Sequence, residues 1–253
     1  MAGYNALNIK EYRAYWNAFA PGAVKERRIN PIVREWELRS ALLQRLAARF
    51  VIAPAGVTEY LAETRFPENR YRLVREGRFR IYEDRFVFPR VFLADETFAA
   101  GSEEETVEGI SRRGRDFRGL AFVEGGFPGV EEAAGAGNGR SAAASGPFPA
   151  EEGARIVSRE PERVVVNCVA GRARLLVLAD AYYPGWRATV DGAPARIWRT
   201  NRIFRGVAVP AGAHQVVFEY RPLSFRIGAA FSILSLLLSA VLAVRAIRLR
   251  RVR

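Results

Sequence analysis

The stretch Leu175-Leu176-Val177-Leu178-Ala179-Asp180-Ala181-Tyr182-Tyr183-Pro184-Gly185-Trp186-Arg187-Ala188-Thr189-Val190-Asp191-Gly192 decides the fold. Leu175 to Leu178 is apolar at every position, the pattern of a central strand buried on both faces. Pro184-Gly185 marks a turn. Trp186, Ala188 and Val190 then alternate with Arg187 and Thr189 up to Asp191-Gly192, a dipeptide whose residues tolerate the positive φ of a two-residue hairpin turn. Ala195 to Trp198 is expected to return as the partner strand. Upstream, Val164, Val166 and Cys168 alternate with Val165, Asn167 and Val169; downstream, Ile203 to Val209 and His214 to Tyr220 continue the pattern. Between Ala154 and Pro222 this makes about seven strands, the spacing of an antiparallel β-sandwich.

Working outward, residues 125–149 are rich in Gly, Ala, Ser and Pro, and Ala133 to Ser145 contains no large apolar side chain. Such a segment is expected to be a flexible linker. It separates a first module, residues 1–124, from the sandwich at 150–222. The first module reads as mixed α/β. Leu7, Ile9, Tyr12, Trp16 and Phe19 recur near helical spacing, and a second helix is expected over 37–48. Phe50 to Ala53 is a short strand ended by Pro54. Tyr71 to Val74 and Phe79 to Tyr82 flank Gly77 as a hairpin, with further strands at Val91 to Ala94 and Leu120 to Val123. No Gly-rich phosphate loop follows any of these strands, so nucleotide binding has no support.

Ile227 to Val244 is an uncharged run of Leu, Ile, Val, Ala, Phe, Gly and Ser. At ~1.5 Å per residue it spans roughly 27 Å, close to the ~30 Å hydrocarbon core of a bilayer. A transmembrane helix over 227–247 followed by a cytoplasmic tail, 248–253, is the expectation. Gly228, Ser232, Ser235 and Ser239 share one helical face, where small side chains let neighbouring spans approach. The overall class is therefore α+β: a mixed α/β module, an antiparallel β-sandwich module and one C-terminal membrane helix.

Charge supports that topology better than it supports a polyanion partner. The chain of 253 residues carries a formal charge of +12, and 37 of its 39 basic residues are arginine. Arg245, Arg248, Arg250, Arg251 and Arg253 crowd the last nine positions. Positive residues beside a span favour the cytoplasmic side, which puts residues 1–226 outside. Because residues 1–20 hold Lys10, Glu11 and Arg13 and no apolar signal segment, the expectation is that this is the C-terminal piece of a longer polytopic protein. Nucleic acid is not an expected partner. A single cysteine and a single histidine exclude a disulfide framework and paired-imidazole metal sites.

The block from Leu176 to Trp186, then Asp191-Gly192, Asn201, Phe204-Arg205-Gly206-Val207, Val209-Pro210-Ala211-Gly212, His214 and Tyr220-Arg221-Pro222 resembles the C-terminal region of the bacterial YfhO-like membrane proteins. Gly3-Tyr4-Asn5, Arg49-Phe50-Val51-Ile52-Ala53-Pro54 and Arg80-Ile81-Tyr82-Glu83 resemble the upstream ectodomain of the same family. The resemblance implies a polytopic protein similar to the multi-span glycosyltransferases that use polyprenyl-phosphate sugars to modify cell-envelope polymers. It also implies that the catalytic carboxylate and lipid-phosphate site belong to N-terminal spans and first external loops outside this chain. Catalytic residues, a metal and a cofactor are accordingly not expected here, and whether the chain is enzymatic on its own stays open. The implied partners are the bilayer, the remaining spans, and an envelope glycan or polyprenyl-phosphate sugar. The reading from a different class is a membrane-anchored carbohydrate-binding or adhesion module without catalysis.

Four residues stand out as candidate substrate contacts: Tyr182, Tyr183, Trp186 and Arg205. Aromatic faces stack on sugar rings, and a Pro-Gly turn would present them at a loop tip. The competing reading makes Trp186 a core residue of the sandwich. Arg205, with Arg202, is a candidate contact for an acidic polymer, although paired surface arginines are usually only solvated. Asp180 and Asp191 flank the block, as a glycosidic acid/base pair would, but Asp191 suits its turn position. His214 reads as a structural hydrogen-bonding residue and Cys168 as a small buried apolar group.

Overall fold

The computed structural model describes residues 49–54, 71–85, 87–112, 119–125, 127–135 and 149–251, together with Ala47. The helix expected near Leu7 to Phe19 and almost all of that expected over 37–48 lie outside the described residues. A small antiparallel sheet comes first, formed by β1 (Phe50–Pro54), β2 (Tyr71–Arg75) and β3 (Phe79–Asp84) with β3 in the middle. Glu83 on β3 holds it together from the centre. Its carboxylate accepts from Arg49 Nε and Nη2 at 3.0 and 2.7 Å on the β1 side and from Arg72 Nη2 at 2.6 Å on β2.

Two larger sheets build the body. The first contains β7 (Gly153–Arg159), β8 (Arg163–Ala170), β10 (Trp186–Val190), β11 (Ala193–Ala195) and β14 (Gly212–Tyr220) in the order β11-β10-β14-β8-β7, antiparallel throughout. The second contains β4 (Val91–Ala94), β5 (Glu96–Ala100), β6 (Leu120–Glu124), β9 (Arg174–Ala181), β12 (Trp198–Thr200) and β13 (Phe204–Val209) in the order β4-β9-β13-β12-β6-β5. Only its β5–β6 pair is parallel, joined across helix α1 (Glu103–Arg112).

The apolar run of β9 explains the layering. Leu176 and Leu178 point into the space between the sheets, packed with Val164, Val166, Cys168, Val207, Val216 and Phe218. Leu175 and Val177 point the other way, into a second core closed by Ile110 of α1 and by Val130 of the short helix α2 (Val130–Gly135). A strand covered by a sheet on one side and helices on the other has no solvent face, so it tolerates no polar residue over Leu175 to Leu178. The sandwich expected from the strand spacing is present, and with α1 and α2 the β-rich body is of the α+β class.

The structure redraws three sequence-based expectations. β4, β5 and β6 share a sheet with β9, β12 and β13, so the second sheet takes strands from both sides of 125–149. A boundary at 124 therefore does not separate two sheets. The expected linker also starts as packed structure: α2 lies within it, and Phe127 sets its ring edge-on to Trp198 at 5.1 Å. Residues 136–148 fall outside the described residues. Finally, the strand returning from Asp191-Gly192 begins at once, with Val190 opposite Ala193, and ends at Ala195. Trp198 belongs to β12 in the other sheet, because the chain crosses between sheets at Arg196-Ile197.

Two signals account for elements the periodicity missed. Ser102-Glu103-Glu104-Glu105 has the capping-box sequence: Glu105 N donates to Ser102 Oγ at 3.2 Å, and the Glu105 carboxylate accepts at 2.8 Å from Gly101 N, one residue before the cap, opening α1. Asn201 and Arg202 both adopt positive φ, 46° and 73°, which makes the tight turn from β12 to β13.

After β14 the chain passes Arg221-Pro222 into α3 (Leu223–Arg251). Its segment Leu223–Leu242 has mean hydropathy 2.0, and none of it is buried against the rest of the protein.

Candidate functional site

One end of the sandwich gathers the aromatic block. Trp186, the first residue of β10, lies opposite Tyr220, the last of β14. Arg163, the first residue of β8, lies opposite Glu219. The same end launches α3, three residues after Tyr220. The turn Pro184-Gly185 folds onto it: Arg221 N donates to Gly185 O at 2.7 Å, and Trp186 N to Tyr183 O at 3.4 Å. Gly185 has φ +103°, and a Cβ there would stand 2.9 Å from the Tyr220 ring and 3.1 Å from Pro222 Cα. Only glycine allows this approach without strain.

Tyr182, Tyr183 and Trp186 line an open groove of about 410 Å³ with Pro194, Ala195 and Ile197. Tyr183 is 44% exposed, and its ring centroid is 6.5 Å from that of Tyr220. Trp186 stacks obliquely on Tyr220 at 5.4 Å and packs against the sandwich core with its other side. Tyr182 lies under Arg199, whose guanidinium carbon is 5.5 Å from the ring centroid. The structure therefore brings three of the four expected contacts to one surface groove.

Arg205 is the exception. It is 3% exposed, buried within the sandwich rather than offered to an acidic polymer. Its guanidinium carbon sits 3.7 Å from the Trp186 ring centroid and 5.5 Å from that of Phe218. Desolvating a cation is costly unless something compensates it, and here a π face and a carboxylate do so. Arg205 Nη2 is 3.4 Å from Asp180 Oδ2. Asp180 also accepts from both Nε (3.0 Å) and Nη2 of Arg90, and Arg159 Nη2 approaches at 3.4 Å. Arg202 is buried as well, at 7% exposure. The motif thus points outward through its tyrosines and inward through its arginine.

The two aspartates do not form a pair. Asp180 is held at the Trp186 end, while Asp191 sits past the other end of β10, a strand about 16 Å long; glycosidic pairs need roughly 5–9.5 Å. Asp191 accepts from Gln215 N at 2.9 Å and meets His214 Nδ1 at 2.6 Å, tying the β10–β11 turn to β14. His214 Nε2 lies 3.2 Å from Ala211 O. Cys168, fully buried opposite His214, has its thiol pushed up to about 12, first by burial and then by the nearby Asp191 charge. A thiol so protonated is no nucleophile at neutral pH. Among the described residues no group of three or more His, Cys, Asp or Glu is placed to hold a metal ion.

The last strand of the sandwich thus runs into a bare helix long and apolar enough to cross a membrane, with aromatic rings clustered at the junction. Residues 150–232 match the model of the family described as bacterial membrane protein YfhO, and this region is similar to that family. The match covers a third of the chain, from β7 into the first turns of α3, and includes the whole aromatic block. No curated protein and no solved structure matches the chain.

Sequence reasoning missed Tyr220 as the ring that supports Tyr183 and Trp186, and Arg90 and Arg159 as partners of Asp180. Tyr220 carried a signal, since a register placing Trp186 at the start of β10 puts the end of β14 opposite it. Arg90 lies ninety positions from Asp180, and nothing local announces that pairing.

Proposed function

We propose that this chain is the extracytoplasmic C-terminal portion of a YfhO-like polytopic membrane protein that takes part in polyprenyl-phosphate-sugar-dependent glycosylation of cell-envelope polymers. The catalytic spans belong to other parts of the full-length protein. The role of this portion is to support them and to help position the acceptor. The observation that carries the reading is the match to the YfhO family over residues 150–232, a stretch that joins the sandwich to an apolar helix. The arginine tail supports a cytoplasmic C-terminus, and the face of Gly228, Ser232, Ser235 and Ser239 supports packing against the remaining spans. The test is deletion of 150–222 from the full-length protein. Loss of sugar from the envelope polymer, read by compositional mass spectrometry, is expected; unchanged glycosylation at normal protein abundance overturns the reading. A reporter fused after Arg253 should read cytoplasmic and one inserted near Gly137 external.

A second reading is a carbohydrate-binding module without catalysis, favoured by the groove of Tyr182, Tyr183 and Trp186. Under it, replacing both tyrosines with Ala weakens binding of purified envelope polysaccharide by about 1 kcal/mol per ring, roughly fivefold each. Glycan binding together with intact glycosylation after deletion selects this reading.

A further inference from the structure

We propose that the Tyr182–Trp186 turn, buttressed by Tyr220, is a footing that seats this end of the sandwich in the headgroup layer of the bilayer that α3 enters. The proposal rests on reading α3 as a membrane span. Its geometric basis is the short connection between turn and helix. Gly185 O accepts from Arg221 N at 2.7 Å, and the first residue of the apolar segment, Leu223, comes two positions later. The turn cannot swing away from that junction, because Gly185 lies against both the Tyr220 ring and Pro222. Any bilayer that receives Leu223 and Phe225, which are 61% and 75% exposed, must bring its surface up to the turn.

The chemistry of the turn fits that layer. Tyrosine and tryptophan are enriched at membrane interfaces because an apolar ring body and a polar edge match the gradient there. Tyr183 is the most exposed ring of the cluster. Beside it, Arg187 is exposed, and Arg221, ion-paired with Glu219 at 2.7 Å, keeps 65% of its side chain exposed, which places guanidinium groups at the level of lipid phosphates. At the opposite end of the sandwich, where Glu151 and Arg172 are exposed, the connecting residues 169–173, 190–193 and 210–214 contain no tyrosine or tryptophan. The footing also fixes where the groove opens: at headgroup height, beside lipid rather than toward bulk water.

The test uses the full chain in vesicles of phosphatidylcholine with phosphatidylglycerol. Spin labels are attached singly at Tyr183→Cys, Glu151→Cys and Leu237→Cys, and collision with oxygen is compared with collision with a water-soluble nickel chelate. The native Cys168 is fully buried and takes no label. The expected result is nickel-chelate collision several-fold lower at position 183 than at 151, and lowest at 237. Aqueous values at both 183 and 151 with lipid values at 237 overturn the footing and leave the span intact. An aqueous value at 237 overturns the span reading and the footing with it.

Discussion

Arg205 and Trp186 form one stacked pair across the two sheets, the guanidinium carbon 3.7 Å from the ring centroid and the arginine almost wholly buried. The pair turns a motif that resembles a binding site into one that is half structural. Its rigid part lies beneath, and Tyr183 extends from it toward the surface.

Removing either member should unfold more than the turn. Trp186→Ala exposes the guanidinium and deletes packing against Tyr220, with an expected loss of about 3 kcal/mol. Arg205→Ala leaves Asp180 with only the half-exposed Arg90 and Arg159 and opens a cavity, costing about 3–5 kcal/mol. Arg205→Lys keeps the charge but not the planar face, so it should rescue only part. Tyr183→Ala should change stability by no more than about 0.5 kcal/mol. Urea midpoints of the four variants check the ranking; a Tyr183 variant as unstable as the Trp186 variant would show that the whole block is core.

Asn201 should be sensitive out of proportion to its size. Its N donates to Phe122 O at 2.7 Å and its Oδ1 accepts from Phe122 N at 2.9 Å, so one buried residue at φ 46° pins the β12–β13 turn to β6. Asn201→Ala strands the Phe122 N–H and strains the backbone, costing about 2–3 kcal/mol. Asn201→Gly keeps the φ and loses only the side-chain bond, so it should be milder. Equal losses, measured by denaturant unfolding, would show that the backbone conformation matters little there.

Cys168 predicts a pH dependence. Its thiol is raised from 9.0 to about 12 in the folded chain. The folded state therefore holds this proton more tightly than the unfolded state. The contribution is complete below about pH 9 and fades as pH rises toward 12. Cys168→Ala should flatten the fall of melting temperature over that window. Maleimide at pH 8 should modify the thiol only after denaturation; rapid labelling of the native protein would contradict its burial.

Gly185→Ala tests the junction between turn and helix. Its Cβ would meet Tyr220 at 2.9 Å at a φ of +103°, so a cost of about 1–3 kcal/mol is expected. Amide exchange should speed up at Arg221, whose N–H loses its acceptor. Unchanged exchange there would mean that the turn does not hold the strand end.

The local code was enough for several features. Four successive apolar residues identified Leu175 to Leu178 as a doubly buried strand, Asp191-Gly192 marked a hairpin turn, and the uncharged run after Arg226 marked the apolar helix. Each depends on neighbours a few positions apart, so composition and period express it directly. Partner choice does not. Nothing near Phe122 announces that it pairs with Asn201, nor anything near Asp180 that Arg90 will hold it. Whether Arg205 faces water or Trp186 depended on which sheet face β13 presents, and a one-residue change of register would have reversed it. The sequence by itself determined most of the sandwich strands, the turn and the apolar helix; the tertiary structure decided that β4, β5 and β6 complete the sandwich and that one arginine of the motif is core, because long-range pairing is settled by burial between sheets rather than by any local signal.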